Sequence, residues 1–115
     1  MSILKKEDMP GVAINMAAAK NVMKQTGITG EQGWEGWSMR IFTLAKEGYT
    51  PFHTHDWPHI NYIISGSGTL FIDGAERQVS PGDTAYVKGG EEHQFKNAGD
   101  EDFSFICIVP EEGDK

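Results

Sequence analysis

Between Gly66 and Asp100 the chain is broken five times by turn-forming residues: Gly66-Ser67-Gly68, Asp73-Gly74, Pro81-Gly82-Asp83, Gly89-Gly90 and Gly99-Asp100. Glycine admits backbone conformations that other residues resist, and proline fixes φ and lacks an N–H, so no long regular element runs through such sites. The runs left between them are short and rich in β-branched and aromatic residues, the composition of half-buried strands. Strands are predicted near 59–65, 68–73, 76–79, 83–87, 92–97 and 102–109, with Asp73-Gly74 as a hairpin turn. Upstream, 20–26, Trp37 to Ala45 and a segment near 52–55 also read as strands, and Gly27 to Gly36 reads as a loop. Alanines favour helix over 13–19 by propensity, against a strand-rich context. The residues from Met1 to about Asn15 form a mixed lead-in with a turn at Met9-Pro10-Gly11. Closely spaced strands of this kind pack as an antiparallel sandwich or barrel, so the expected class is all-β.

The chain has 115 residues, of which 38% are hydrophobic, enough to enclose one core, and no linker, repeat or low-complexity segment divides it. A single domain over 1–115 is expected. A net charge of -7 with scattered Lys and Arg argues against nucleic acid, whose phosphates need a basic face. No run of apolar residues is long enough to span a membrane, and no secretory leader pattern opens the sequence. The lone Cys107 has no internal disulfide partner, which fits a reducing compartment. A soluble, cytoplasmic protein is the expectation.

The chemistry lies in the histidines. There are four, His53, His55, His59 and His93, and none is placed elsewhere. Side chains alternate faces along a strand, so His53-Thr54-His55 would present both rings to one side. His93 joins them only if the chain folds back on itself. Neutral imidazole is the commonest protein ligand for transition metals, and manganese, iron, nickel, copper and zinc all accept it.

Two stretches carry a family resemblance. Residues 48–66 contain Gly48, His53-Thr54-His55, His59 and Gly66, and residues 82–97 contain Gly82, Gly89-Gly90, His93 and Asn97. They resemble, in order, the two motifs of the cupin superfamily, in particular its small single-domain metal-binding members. The resemblance implies an antiparallel double-stranded β-helix, or jelly-roll barrel, with one divalent transition metal on His53, His55, His59 and His93. It departs from the usual pattern in three places. His59 stands where most metal-binding cupins have Glu, the first motif is one residue short between Gly48 and His53, and Lys88 replaces a usual Pro. An all-imidazole set leaves the site about one charge unit more positive, favouring anionic ligands. Four histidines around an ion that takes five or six neighbours leave positions for water or substrate, unlike closed, Cys-rich structural zinc.

The resemblance also implies a homodimer, with the segment 1–19 exchanged or packed across the interface. Three functions fit: dioxygenase-like oxidoreductase chemistry on a small oxygen-bearing substrate, Lewis-acid isomerase, epimerase or lyase chemistry, and non-catalytic binding of a small molecule.

Four other residues are placed near the site. If His59 faces inward, alternation brings Asn61 and Ile63 with it, and His93 brings Phe95. Asn61 then either orients a ligand or is a satisfied strand amide. Arg40 either grips a substrate carboxylate or makes a surface salt bridge. Cys107 is either a small buried hydrophobe or a pocket residue. Phe42, Phe52 and Trp57 read as core or rim packing, and Lys88 as a solvated turn residue. Asp56, Glu91 and Glu92 are either acceptors for imidazole N–H groups or solvated turn charges.

Overall fold

A computed structural model describes residues 2–114; Met1, where the lead-in begins, and Lys115 lie outside it. Nine strands form one curled antiparallel sheet: β1 Gly11–Ala13, β2 Lys20–Thr26, β3 Trp37–Tyr49, β4 His59–Ser65, β5 Gly68–Ile72, β6 Ala75–Val79, β7 Thr84–Val87, β8 His93–Asn97 and β9 Phe103–Pro110. The order is β6-β5-β8-β3-β9-β4-β7, with β2 also on β3 and β1 on β2. This is the all-β jelly-roll architecture expected. Among the described residues there is no α-helix, and no helix is long and apolar enough to cross a membrane. The alanines of 13–19 therefore do not make a helix: only Ala13 is in a strand, and β1 pairs with β2 through Ala13 opposite Met23. A few alanines without an amphipathic stripe have nothing to pack against, and pairing wins over propensity.

The sheet curls because β3 bends. Its first part, Trp37 to Leu44, pairs with β9, and at Tyr49 the same strand pairs with Lys96 of β8. The bend lies between, where Glu47 takes φ 67° and Asn21 on the neighbouring β2 takes φ 52°. Asn21 donates from Nδ2 to the Lys46 carbonyl at 3.1 Å, which locks the two irregularities together. Gly48 completes the corner: a Cβ there would sit 2.8 Å from the Ala45 carbonyl oxygen and 3.0 Å from those of Lys20 and Asn21. The first glycine of the first motif is thus a packing requirement of the turn that leads to the histidines.

Two layers result, one built around β4 and β9 and the other around β5 and β8, with Leu44, Ile63, Leu70, Phe95, Phe103 and Phe105 buried between them. Inward residues of β9 alternate strictly, Phe103, Phe105, Cys107 and Val109. Phe105 stacks on Phe95 of the facing layer with ring centroids 4.1 Å apart. Full burial of such a side chain contributes roughly 1.5–3 kcal/mol, so these rings supply much of the force that holds the layers together. The hairpin at Asp73-Gly74 forms as expected, with φ of 53° and 75°, joining β5 to β6. The segment near 52–55 is not a strand; it makes a single isolated bridge, His53 opposite His93. Pro51 and Pro58 flank it and cannot donate to a ladder.

Candidate metal centre

The four rings arrive from three directions. His59 opens β4 in one layer, His93 opens β8 in the other, and His53 and His55 lie on the loop that follows β3. The loop is tied to β8 by two backbone hydrogen bonds between His53 and His93, at 3.1 and 3.2 Å. It is tied to the turn before β8 by Gly90 N–H donating to the His55 carbonyl at 2.8 Å. Gly89 must lack a side chain here, because a Cβ would collide with the Asp56 carbonyl oxygen. The glycines of the second motif therefore bring the first motif's loop down onto β8.

His93 is the hub. Its ring centroid lies 4.8 Å from that of His53, 4.9 Å from that of His55 and 4.9 Å from that of His59. One ligand atom each from His53, His55 and His93 lie within 4.8 Å of one another, a compact three-histidine set. His59 stands beside it, its Nε2 3.2 Å from Nε2 of His93. His59 and His93 are buried, His55 is half-buried and His53 is exposed.

Hydrogen bonds decide which ring nitrogens are bare. His55 Nδ1 meets the Trp57 carbonyl at 2.8 Å and His93 Nδ1 meets the Glu91 carbonyl at 2.9 Å. A carbonyl only accepts, so both Nδ1 atoms carry the proton. His59 Nδ1 donates to Asn61 Oδ1 at 2.7 Å, and Asn61 Nδ2 donates in turn to the Ile106 carbonyl at 3.2 Å. In three of the four neutral rings Nε2 is thus a lone pair facing the others. Two such acceptors 3.2 Å apart repel unless a cation lies between or beside them. The donor set fits a divalent metal ion bound by imidazole nitrogen.

The electrostatics agree. Desolvation of the His53 ring where the other rings crowd it, although the residue as a whole stays exposed, and then the charge of a protonated His93 hold it down at about 4; burial and the charge of His93 hold His59 at about 3. Burial also lowers His93, against the raising effect of its bond to the Glu91 backbone. His53, His59 and His93 are therefore kept unprotonated, the form that binds metal, without a metal having to displace protons from them at neutral pH.

A cavity of about 340 Å³ opens on the histidines, lined on its other sides by apolar groups that include Ile14, Val22, Phe42, Phe95 and Phe105. Asn61, Phe95, Arg40 and Cys107 all line it, as the period-two argument places the first two. Asn61 is a satisfied amide whose partner is His59. Arg40 is no surface salt bridge: its side chain is 13% exposed and lies 3.7 Å from Asp114. Cys107 is buried, accepts from Arg40 Nη2 at 3.1 Å, and burial pushes its thiol pKa up.

Three expectations change. Carboxylates of Asp56, Glu91 and Glu92 are not the imidazole acceptors; main-chain carbonyls of Trp57 and Glu91 and the amide of Asn61 are. Trp57 does more than pack at the rim, since its ring stacks on His55 at 4.9 Å with a 6° angle between planes. His53 and His55 share a side because hydrogen bonds pin their loop, not because a strand alternates. Lys24 and Gly113, which line the cavity, and Asp114, which pairs with Lys24, were not legible as site residues: the charges of Lys24 and Asp114 carry no position, and Gly113 has no charge to read.

Residues 40–109 match the cupin domain family, Cupin_2, and the chain belongs to it. It is similar to the 1-methylthio-D-xylulose 5-phosphate methylsulfurylase of Rhodospirillum rubrum, with 32% identity over 77% of this chain and 53% of that protein. The chain thus spans about half the length of that relative. It is also similar to the oxalate-binding protein of Thermotoga maritima, with 23% identity over 95% of this chain and 93% of the relative. Among solved structures, the polyketide cyclase RemF of Streptomyces resistomycificus superposes with a TM-score of 0.87 at 25% identity, covering 96% of this chain and 79% of that one.

Proposed function

We propose that the protein is a divalent-metal enzyme acting on a small organic substrate that presents a ketone, enol or phenol oxygen to the metal. The observation that carries this reading is the set of Nε2 lone pairs, bared by hydrogen bonds to Nδ1, at the end of an apolar cavity. His53, His55 and His93 would hold the ion, with His59 as fourth ligand through the Nε2 that faces His93. When bound, a divalent ion with neutral ligands supplies Lewis-acid polarisation of an oxygen and keeps its full charge to stabilise an anionic form of the substrate. Asn61 holds His59 in register, and Trp57 holds His55 by stacking and through its carbonyl. Phe95 and Phe105 exclude water and offer faces to an apolar or aromatic body.

Lewis-acid chemistry of the isomerase, lyase or cyclase kind is preferred because one relative is a polyketide cyclase and another a methylsulfurylase, neither named as an oxygenase. A dioxygenase-like reading is favoured by one feature: no carboxylate is free beside the histidines in the described cavity to act as a base, Asp114 being paired with Lys24 and Arg40. The test is metal analysis of the protein from its native cells with oxygen-electrode assays on enolic and phenolic compounds. Substrate conversion without oxygen uptake is expected; stoichiometric uptake would replace this reading by the oxidative one.

The substitution His59→Glu probes the fourth ligand. Metal is expected to remain bound, since a carboxylate oxygen suits the same ions, while affinity for a carboxylate ligand on the metal falls about tenfold as the net charge drops. Unchanged ligand affinity, measured by calorimetry on metal-loaded protein, would show that His59 does not set the charge of the site. We further propose a homodimer and a cytoplasmic setting. The dimer is supported by an exposed apolar row on the outer face, Ile60, Tyr62 and Ile64 of β4 beside Tyr86 of β7. The setting is supported by the free thiol of Cys107.

A further inference from the structure

The wall of the cavity carries two cations. Lys24 on β2 lies opposite Phe42 on β3, and Arg40 is two residues from Phe42 on the same strand, so the two side chains are diagonal neighbours on one face. Both line the cavity, with side chains 23% and 13% exposed. A single carboxylate oxygen serves both: Asp114 Oδ1 is 3.2 Å from Lys24 Nζ and 3.7 Å from Arg40 Nε.

That service is incomplete. Among the described residues, Arg40 Nε is buried without a hydrogen-bond partner, Nη1 reaches the Gly113 carbonyl at 3.5 Å, and Nη2 meets the thiol of Cys107, a weak acceptor. A guanidinium with a rigid fork of donors normally takes a planar two-oxygen anion side by side. Two positive charges face one negative charge beside neutral imidazoles and phenylalanines, so the cluster keeps a net positive charge in poorly solvated surroundings.

Asp114 is held chiefly through its carboxylate rather than by its backbone segment. It ends a one-turn segment, Glu111–Asp114, whose backbone is tied by Glu111 N–H to the Gly36 carbonyl at 2.9 Å. Gly113 lies flat on the indole of Trp57, where an added Cβ would come within 2.6 Å of Nε1. No side chain of the turn is buried in the core.

We propose that Lys24 and Arg40 form an anion subsite for the substrate's carboxylate or phosphate group, and that Asp114 is a resident stand-in which an entering anion displaces. The inference deepens the reading above, on which it rests for the orientation of the substrate: anionic group on the cations, apolar body against Phe42 and Phe105, oxygen towards the histidines. Displacing Asp114 moves Gly113 away from Trp57, so anion entry is coupled to the ring that packs on His55.

Benzoate and phenyl phosphate are the probes, titrated by calorimetry and by tryptophan fluorescence into the zinc-loaded and the chelator-stripped protein. Asp114→Asn is expected to tighten binding about tenfold, because the resident charge no longer competes. Lys24→Met and Arg40→Met are each expected to weaken it about tenfold, and the first, more exposed, keeps the test sound if the second misfolds. The tighter of the two probes identifies the anion as carboxylate or phosphate. Equal affinity in Asp114→Asn, Lys24→Met and the unaltered protein, or binding of neither probe, would overturn the subsite. The stripped protein separates the two readings. Charge-dependent binding that persists while zinc fails to bind would leave the subsite standing and remove the metal enzyme.

Discussion

In the His93→Ala protein, affinity for divalent metal is expected to fall by at least about 100-fold, more than loss of an outer hydrogen-bonding partner costs. His93 touches all three other rings and is the only one contributed by the second motif, so its removal leaves ligands that converge on an empty centre. The fold should survive, because β8 pairs with β5 and with the His53 loop through backbone groups that alanine retains. Lys88→Ala is the control. Lys88 is exposed, and its bonds to Glu91 run through its backbone N–H and carbonyl, which alanine retains, so metal content should not change. Elemental analysis and competition with a chromogenic chelator measure both proteins. Full metal content in His93→Ala would mean that the site is not assembled from the two motifs.

The second large effect is on stability against pH. In the metal-free protein, His53 and His59 are held at about 4 and about 3, below the value of about 6.5 for a free imidazole. Between those values the unfolded chain binds protons that the folded chain does not. Stability is therefore complete above about 6.5 and is lost progressively as pH falls towards about 4 and then about 3. Metal adds to this in the same direction, since it binds only unprotonated rings and only the folded state gathers them. At a free concentration a hundred times the dissociation constant it contributes about 2.7 kcal/mol, on the order of 10 °C in melting temperature for a chain of this size. Melting curves from pH 8 to 4, with and without chelator, should be separated by that amount near neutrality and converge in acid. The convergence should lie well below 6.5, because His53 and His59 hold their protons off until about 4 and about 3. Coincident curves at pH 7, with metal removal verified, would show that the ion contributes nothing to the fold.

Much of the barrel was legible because its signals are local. Turn residues such as Asp73-Gly74 act through their own φ angles, and alternation along β9 places Phe103, Phe105, Cys107 and Val109 inward without reference to any partner. Lys20–Thr26 and His59–Ser65 form strands where their β-rich composition places them. Alternation from His59 and His93 points to Asn61 and Phe95, and both side chains line the cavity. It failed at 52–55, where two prolines remove ladder donors and the loop is shaped by bonds to a strand far along the chain.

Residue types and their spacing, read along the chain, thus determine the all-β class and the inward face of β9, since each follows from backbone preferences of a few neighbouring residues. The tertiary structure alone decided which nitrogen of each histidine is bare, because the deciding acceptors are carbonyls of Trp57 and Glu91 and an amide anchored on Ile106, and a carbonyl has no sequence signature. It alone brought Lys24 to Asp114 and Asp114 to Arg40, across most of the length of the chain. Charge pairing acts through space at a few ångströms, and only the curled sheet sets which charges come within that distance.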